Sequence, residues 1–240
     1  MIAAKRAAVK HQPKGVAVLY EDQDVIVIDK PVGLLTMGTE RDKSRTAHSI
    51  LNDYIRKGNA KSRNRVYIVH RLDRDTSGIL IFAKSEQAKQ YLQDNWTETE
   101  KKYLTVVYGR LTPQEGIISS YLAGNGAYTV YSTPDPTRGK LSLTAYNTLK
   151  EAKGFSLLEI NLLTGRKHQI RVHLSEKGHP IVGDKKYGKE GDSYKWLALH
   201  AQSITFTHPV TGKRLTIATQ SPEYFVRLMG TAVLPQKRHT

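Results

Sequence analysis

Residues 69–85 read VHRLDRDTSGILIFAKS. Four charges and a histidine (HRLDRD) are set between two apolar runs, VYIV at 66–69 and ILIFA at 79–83, and Thr76-Ser77-Gly78 follows the second carboxylate as a turn signal. Two buried strands joined by a short loop account for the apolar runs. They do not account for a carboxylate, two arginines and a histidine held between them, where a plain turn would suffice. The stretch therefore reads as core strands presenting chemistry.

On the N-terminal side, Val16–Tyr20 and Val25–Ile28 are β-branched runs split by Glu21–Asp24, which predicts neighbouring strands. Lys30-Pro31-Val32-Gly33 breaks that pattern, and Ala47–Arg56 places Ile50, Leu51, Tyr54 and Ile55 at helical spacing. KGNAKSRNR at 57–65 is a basic loop without apolar residues. On the C-terminal side, Ser85–Trp96 predicts a helix capped by Ser85. Strands follow at Tyr103–Tyr108, Ser142–Leu149 and Phe155–Leu162, then a helix over Thr164–Lys177 stopped by Gly178. Strands at Leu197–Phe206 and Leu215–Ala218 flank a turn at 208–212, and Ser221-Pro222 opens a last helix with proline at its first position. The Gly- and Pro-rich 109–139 region reads either as a waist between two halves or as a pair of long hairpins. Strands outnumber helices without regular alternation, so the expected class is α+β: an antiparallel-rich mixed sheet with flanking helices and a central catalytic cleft. The expected organisation is a basic tail at 1–15, one catalytic domain at 16–230 and a C-terminal tail at 231–240.

The 240 residues carry 37 Lys and Arg against 22 Asp and Glu, a formal charge of +15, which favours a polyanionic partner. Charge alone separates neither RNA from DNA nor an enzyme from a binder. Zero cysteines exclude disulfides and thiolate metal sites. No apolar run reaches the roughly 20 residues of a membrane span, and no secretory signal opens the chain, so a cytoplasmic protein away from the membrane is expected.

Two other readings of the motifs fail. A protein kinase places its catalytic aspartate directly after HR, and adds an asparagine, a glycine-rich loop and a DFG; here Leu72 intervenes, residue 78 is glycine and the other elements are missing. His168 and His173 are five apart, about 140° around a helix, and His70 with Asp73 lacks a third ligand, so no metal site is expected. The second charged stretch is LTGRKHQIRVHL at 163–174. Ile170 and Leu174 define a buried face that Arg171 adjoins, so Arg171 needs a carboxylate partner. Asp73 is the candidate; the pair would keep that carboxylate ionised, and so able to act as a nucleophile or base.

HRLDRDTSG at 70–78, KKYLTVVYG at 101–109 and TGRKHQIRVH at 164–173 together resemble the RluA-type pseudouridine synthases. IDKPVGLLT at 28–36 and GHPIVGDKKYG at 178–188 are similar to further segments of that family, in its order and spacing over residues 16–220. Asp29 stands where the family usually has Asn, and Thr105 where Ala is common. Many members carry an N-terminal S4 RNA-binding domain; a short basic tail precedes Val16 here, so a member without one is expected. The resemblance implies an isomerase that turns uridine into pseudouridine in rRNA or tRNA, without cofactor or metal, as a monomer. It implies that Asp73 detaches uracil from its ribose, that Tyr103 stacks on the flipped base and assists proton removal from C5, and that Arg171 pairs with Asp73. Arg71 would enter the RNA stack in place of the extruded uridine. His70, Arg74, Arg166, Lys167, Lys61, Arg63 and Arg65 are the remaining expected RNA contacts. The rival reading is an RNA-binding protein or chaperone of the same fold that modifies nothing.

Overall fold

The computed structural model describes residues 12–38, 45–57, 59, 61–125 and 129–230. The expected C-terminal tail and most of the N-terminal one lie outside the described residues, as do positions 58 and 60 of the basic loop and 126–128 of the Gly- and Pro-rich region. The chain divides into two compact units: Met1–Lys101 with Ala201–Thr219, and Lys102–His200 with Gln220–Thr240. Both are built on mostly antiparallel sheet, giving the α+β class.

In the first unit, β1 (Ala17–Glu21), β2 (Val25–Lys30), β4 (Ser77–Ala83) and β10 (Leu199–Thr207) lie side by side, with the short β3 (Tyr67–Ile68) on β4 and β11 (Arg214–Ala218) on β10. The apolar runs do not alternate because both faces of the sheet are covered. Val25, Val27, Ile79 and Ile81 pack with Ala88 and Leu92 of α2 (Glu86–Asp94) and with Ile204, Phe206 and Ile217. Ile26, Ile28, Leu80 and Phe82 point the other way and are fully buried. The His48 ring of α1 (Ala47–Arg56) stacks on Phe82 at 6.4 Å. Both helices start on side-chain caps, Thr46 with Ser49 in a capping box for α1 and Ser85 for α2. Gly78 is the one residue that fits where β4 begins: its φ is +106°, and a Cβ there would lie 2.2 Å from the Ala201 carbonyl oxygen.

In the second unit the order is β5 (Glu100–Tyr108), β9 (Phe155–Leu162), β8 (Lys140–Ala152), β6 (Glu115–Gly124) and β7 (Val130–Thr133). Its core joins Leu104, Val106, Leu158 and Ile160 to Ile170 and Leu174 of α3 (Gln169–Glu176) and Phe225 and Met229 of α4 (Glu223–Met229). The 109–139 region lies wholly inside this unit and forms β6 and β7, so it is hairpin rather than waist. Two helix starts differ from expectation. The helix over Thr164–Lys177 begins only at Gln169. The Gln169 side chain takes the Thr164 hydroxyl and the Arg166 N–H into a preceding turn, and His168 sits at φ +54°. Pro222 occupies the cap of α4 rather than its first turn, and no side chain caps that helix.

Candidate active site

The charged loop at 70–76 is fixed from both flanks and from beneath. β3 ends at Ile68, which would leave the Ile81 N–H of β4 without a ladder partner; the Nε2 of His70 accepts it at 3.1 Å. The His70 ring lies 4.5 Å from Trp96. Burial, with the Lys101 charge added, lowers its pKa from 6.5 to about 3, so the ring is neutral with its proton on Nδ1. Expected among the RNA contacts, His70 has its Nε2 lone pair committed to the fold.

Leu72 is buried, and the buried Thr36 brackets it: its hydroxyl donates to the Leu72 carbonyl at 2.9 Å and accepts the Leu72 N–H at 3.2 Å. Two residues on, the Arg74 carbonyl accepts from the Gly33 N–H at 2.9 Å, and the Arg74 Nε returns a bond to the Gly33 carbonyl. Beneath them lies Lys30, fully buried, whose ammonium donates to the carbonyls of Leu34 (2.7 Å), Pro31 (3.1 Å) and Arg74 (3.1 Å). Burial pulls its pKa down to about 8, against the opposing charges of Asp75, Asp73 and Asp29. Asp73 thus sits, half-buried, between two residues whose backbones are pinned, while Arg71 and Arg74 are exposed. Lys61, Arg63 and Arg65 are exposed on the loop entering β3, where Arg65 Nε donates to the Tyr67 hydroxyl at 2.8 Å.

The second unit holds Tyr103 and Arg171. Tyr103, half-buried on β5, stands opposite Ile160 of β9. Arg171 is 7% exposed on α3 and makes a two-pronged bond to Asp184, Nε to Oδ2 and NH2 to Oδ1, both at 2.8 Å. Burial alone would raise the Asp184 pKa. The Arg171 hydrogen bond and charge, with the N–H groups of Tyr187 and Lys186, outweigh it and hold the group below its usual range. The Tyr187 ring lies 5.2 Å from the guanidinium carbon. Arg166 and Lys167 are exposed in the turn before α3.

Sequence reasoning assigned no role to Lys30, Thr36 or Asp184. Asp184 had a signal: a buried arginine demands a carboxylate, and GDKKYG offers one. Among the described residues one cluster has metal-like composition, Asp22, Asp24 and His208. The side-chain atoms of Asp22 and His208 are spent. Asp22 accepts from the Asp24 and Val25 N–H groups, from the Tyr20 hydroxyl and from His208 Nε2, while His208 Nδ1 accepts from Val210 and Thr211.

A half-buried carboxylate on a clamped loop, with a preorganised guanidinium elsewhere in the chain, is equipment for acid–base or nucleophilic catalysis. The RNA pseudouridylate synthase family model matches residues 24–176. An uncharacterized RNA pseudouridine synthase of Bacillus subtilis is 34% identical over 232 residues, covering 91% of this chain and 73% of the relative. Ribosomal large subunit pseudouridine synthase C of Rickettsia bellii is 33% identical over 216 residues, covering 88% and 70%. In three dimensions, human RNA pseudouridylate synthase domain containing 4 shares the fold at a TM-score of 0.74 and 22% identity, covering 87% of this chain and 90% of its own. The chain belongs to the RNA pseudouridylate synthase family. Its activity is the isomerisation of uridine to pseudouridine in RNA.

Proposed function

We propose that Asp73 is the carboxylate that acts on the target uridine, as nucleophile or base, and that ribosomal RNA is the substrate class. The reaction breaks the bond from C1′ to N1 of uracil, joins C1′ to C5, and moves the C5 proton to solvent while N1 takes one up, so no oxidant or energy source is consumed. Tyr103 is proposed to stack on the extruded base and assist that proton removal. Arg171, bonded to Asp184 where the sequence led to Asp73, is proposed as a further catalytic residue. Arg71, Arg74, Arg166, Lys167, Lys61, Arg63 and Arg65 are proposed to contact the RNA.

The observation that carries this reading is the clamping of the Asp73 loop, with Leu72 held by Thr36 and Arg74 by Gly33 and Lys30. A loop that merely binds RNA has no need of such constraint on one carboxylate, which disfavours the non-catalytic chaperone. The ribosomal substrate rests on the printed name of the Rickettsia relative; transfer RNA is the alternative. The test is tritium release from RNA labelled at uridine C5, with ribosomal and transfer RNA compared. Asp73→Asn should abolish release while leaving RNA affinity little changed. Residual turnover above about a tenth of wild type would assign the chemistry to another group.

A further inference from the structure

Residues 185–196, KKYGKEGDSYKW, close on themselves in the second unit and present aromatic rings among lysines. Lys185, Lys186, Lys189 and Lys195 are exposed, and Glu190 is the one exposed acid of the stretch. Tyr194 and Trp196 are each 39% exposed, large rings left in reach of solvent. Lys189 lies 5.3 Å from the Tyr108 ring centre and Lys195 lies 4.5 Å from that of Trp196.

The segment is rigidly seated. At its start, Asp184 accepts the N–H groups of Lys186 and Tyr187. In its middle, Asp192 takes the N–H of Gly183 at 2.7 Å and that of Tyr194 at 2.8 Å, while Lys185 donates to the Asp192 carbonyl. At its end, the backbone of Trp196 crosses Gly183 so closely that a Cβ on the glycine would lie 2.0 Å from the Trp196 carbonyl oxygen. The next N–H but one, that of Ala198, bonds the Val182 carbonyl at 2.8 Å. The Tyr194 ring is braced edge-on against Phe155 at 6.0 Å, and Phe155 against Tyr108 at 5.3 Å. The rings are thus held by fixed backbone rather than by burial.

We propose that this Tyr194–Trp196 surface is a docking platform for an unpaired nucleotide of RNA, separate from the uridine being modified. Trp196 stacks on the base and the flanking lysines meet its phosphates. Exposed rings interleaved with cations suit single strands, whose bases offer free faces, and not a duplex whose bases are already stacked. Self-association through the patch is opposed by its own lysines and by a chain carrying +15. The proposal rests on the chain acting on RNA, and it explains how RNA outside the target uridine could be selected.

The test uses the full chain and an oligoadenylate of about ten nucleotides, which contains no uridine and cannot be turned over. Trp196→Ala should weaken its binding, read by fluorescence anisotropy, by roughly five- to hundredfold. Trp196→Phe should keep most of the affinity while losing the tryptophan quenching expected of wild type on binding. Single-turnover pseudouridine formation in a minimal hairpin at saturating enzyme should match wild type in both variants. Unchanged oligoadenylate affinity in Trp196→Ala, with its melting temperature preserved, overturns the platform. So does a wild-type dimer that Trp196→Ala converts to monomer without loss of RNA affinity. A slowed saturating rate in both variants overturns it too, since the residue would then act through Asp184 and Arg171. Wild type that shows the expected binding pattern but forms no pseudouridine would leave the platform standing and count against the proposed function.

Discussion

Leu72 is buried while Arg71 beside it is exposed and Asp73 half-buried, an alternation that turns one apolar side chain into the anchor for two charged ones. If Asp73 is the catalytic carboxylate, as proposed above, the anchor holds it in place while the RNA rearranges around it. If Arg71 fills the gap left by the extruded uridine, Arg71→Ala should slow modification of a structured stem-loop at least about tenfold more than that of an unstructured oligonucleotide, which has less stacking to lose. Single-turnover rates on the two substrates decide it, and equal slowing would overturn the intercalating role of Arg71. His70 gives a second expectation. Its pKa of about 3 when folded lies below the unfolded 6.5, so the unfolded chain takes up a proton that the folded chain refuses. Its contribution to stability is complete above pH 6.5 and is lost as the pH falls from there toward 3; His200, lowered to about 4, acts in the same direction. The drop in melting temperature between about pH 7 and pH 5 should be smaller in His70→Gln, which keeps an acceptor and cannot be protonated, than in wild type.

At the scale of elements, the 30–36 segment is a bracket for the 70–76 loop. Thr36→Val keeps the shape but removes both bonds to Leu72, and should cost about 1–3 kcal/mol of stability and lower the single-turnover rate without weakening RNA binding. Lys30→Met leaves three carbonyls without their shared donor and should lower the melting temperature further, with activity falling alongside. Melting curves and saturating single-turnover rates measure both, and a Thr36→Val enzyme of wild-type rate would deny the bracket any part in catalysis. These elements also show what a sequence reveals. α1 and β9 appear at their expected limits because amphipathic spacing and turn residues mark them locally. The 70–76 loop was visible as a site because its charges interrupt core strands. β6 and β7 lay within a region read as either a waist or a pair of long hairpins, and their limits were not assigned: their burial alternates along a partly solvated hairpin, among glycines and prolines that mark turns. The start of α3 was misplaced because only the folded Gln169 side chain reveals the turn before it. Thr36 and Lys30 carry no local signature, since their partners are up to 44 residues away.

For the molecule as a whole, the charge of +15 could be read from composition, whereas the division into units could not. That division has a temporal side. The first unit is written in two instalments, the second arriving only with Ala201–Thr219. A ribosome that has delivered the first 200 residues has released β4 without the neighbour β10 that flanks it in the finished sheet. The bare margin of an apolar strand is a template for pairing with other chains. A fragment ending at residue 200 should therefore be recovered in aggregates, and adding a peptide of residues 201–219 during refolding should raise its soluble yield; a fragment soluble and protease-resistant by itself would refute this. During synthesis, about 120 residues' worth of translation, some 6–25 s at typical elongation rates, separates the completion of β4 from that of its neighbour. That interval is when a nascent chain of this architecture most needs a chaperone's shelter.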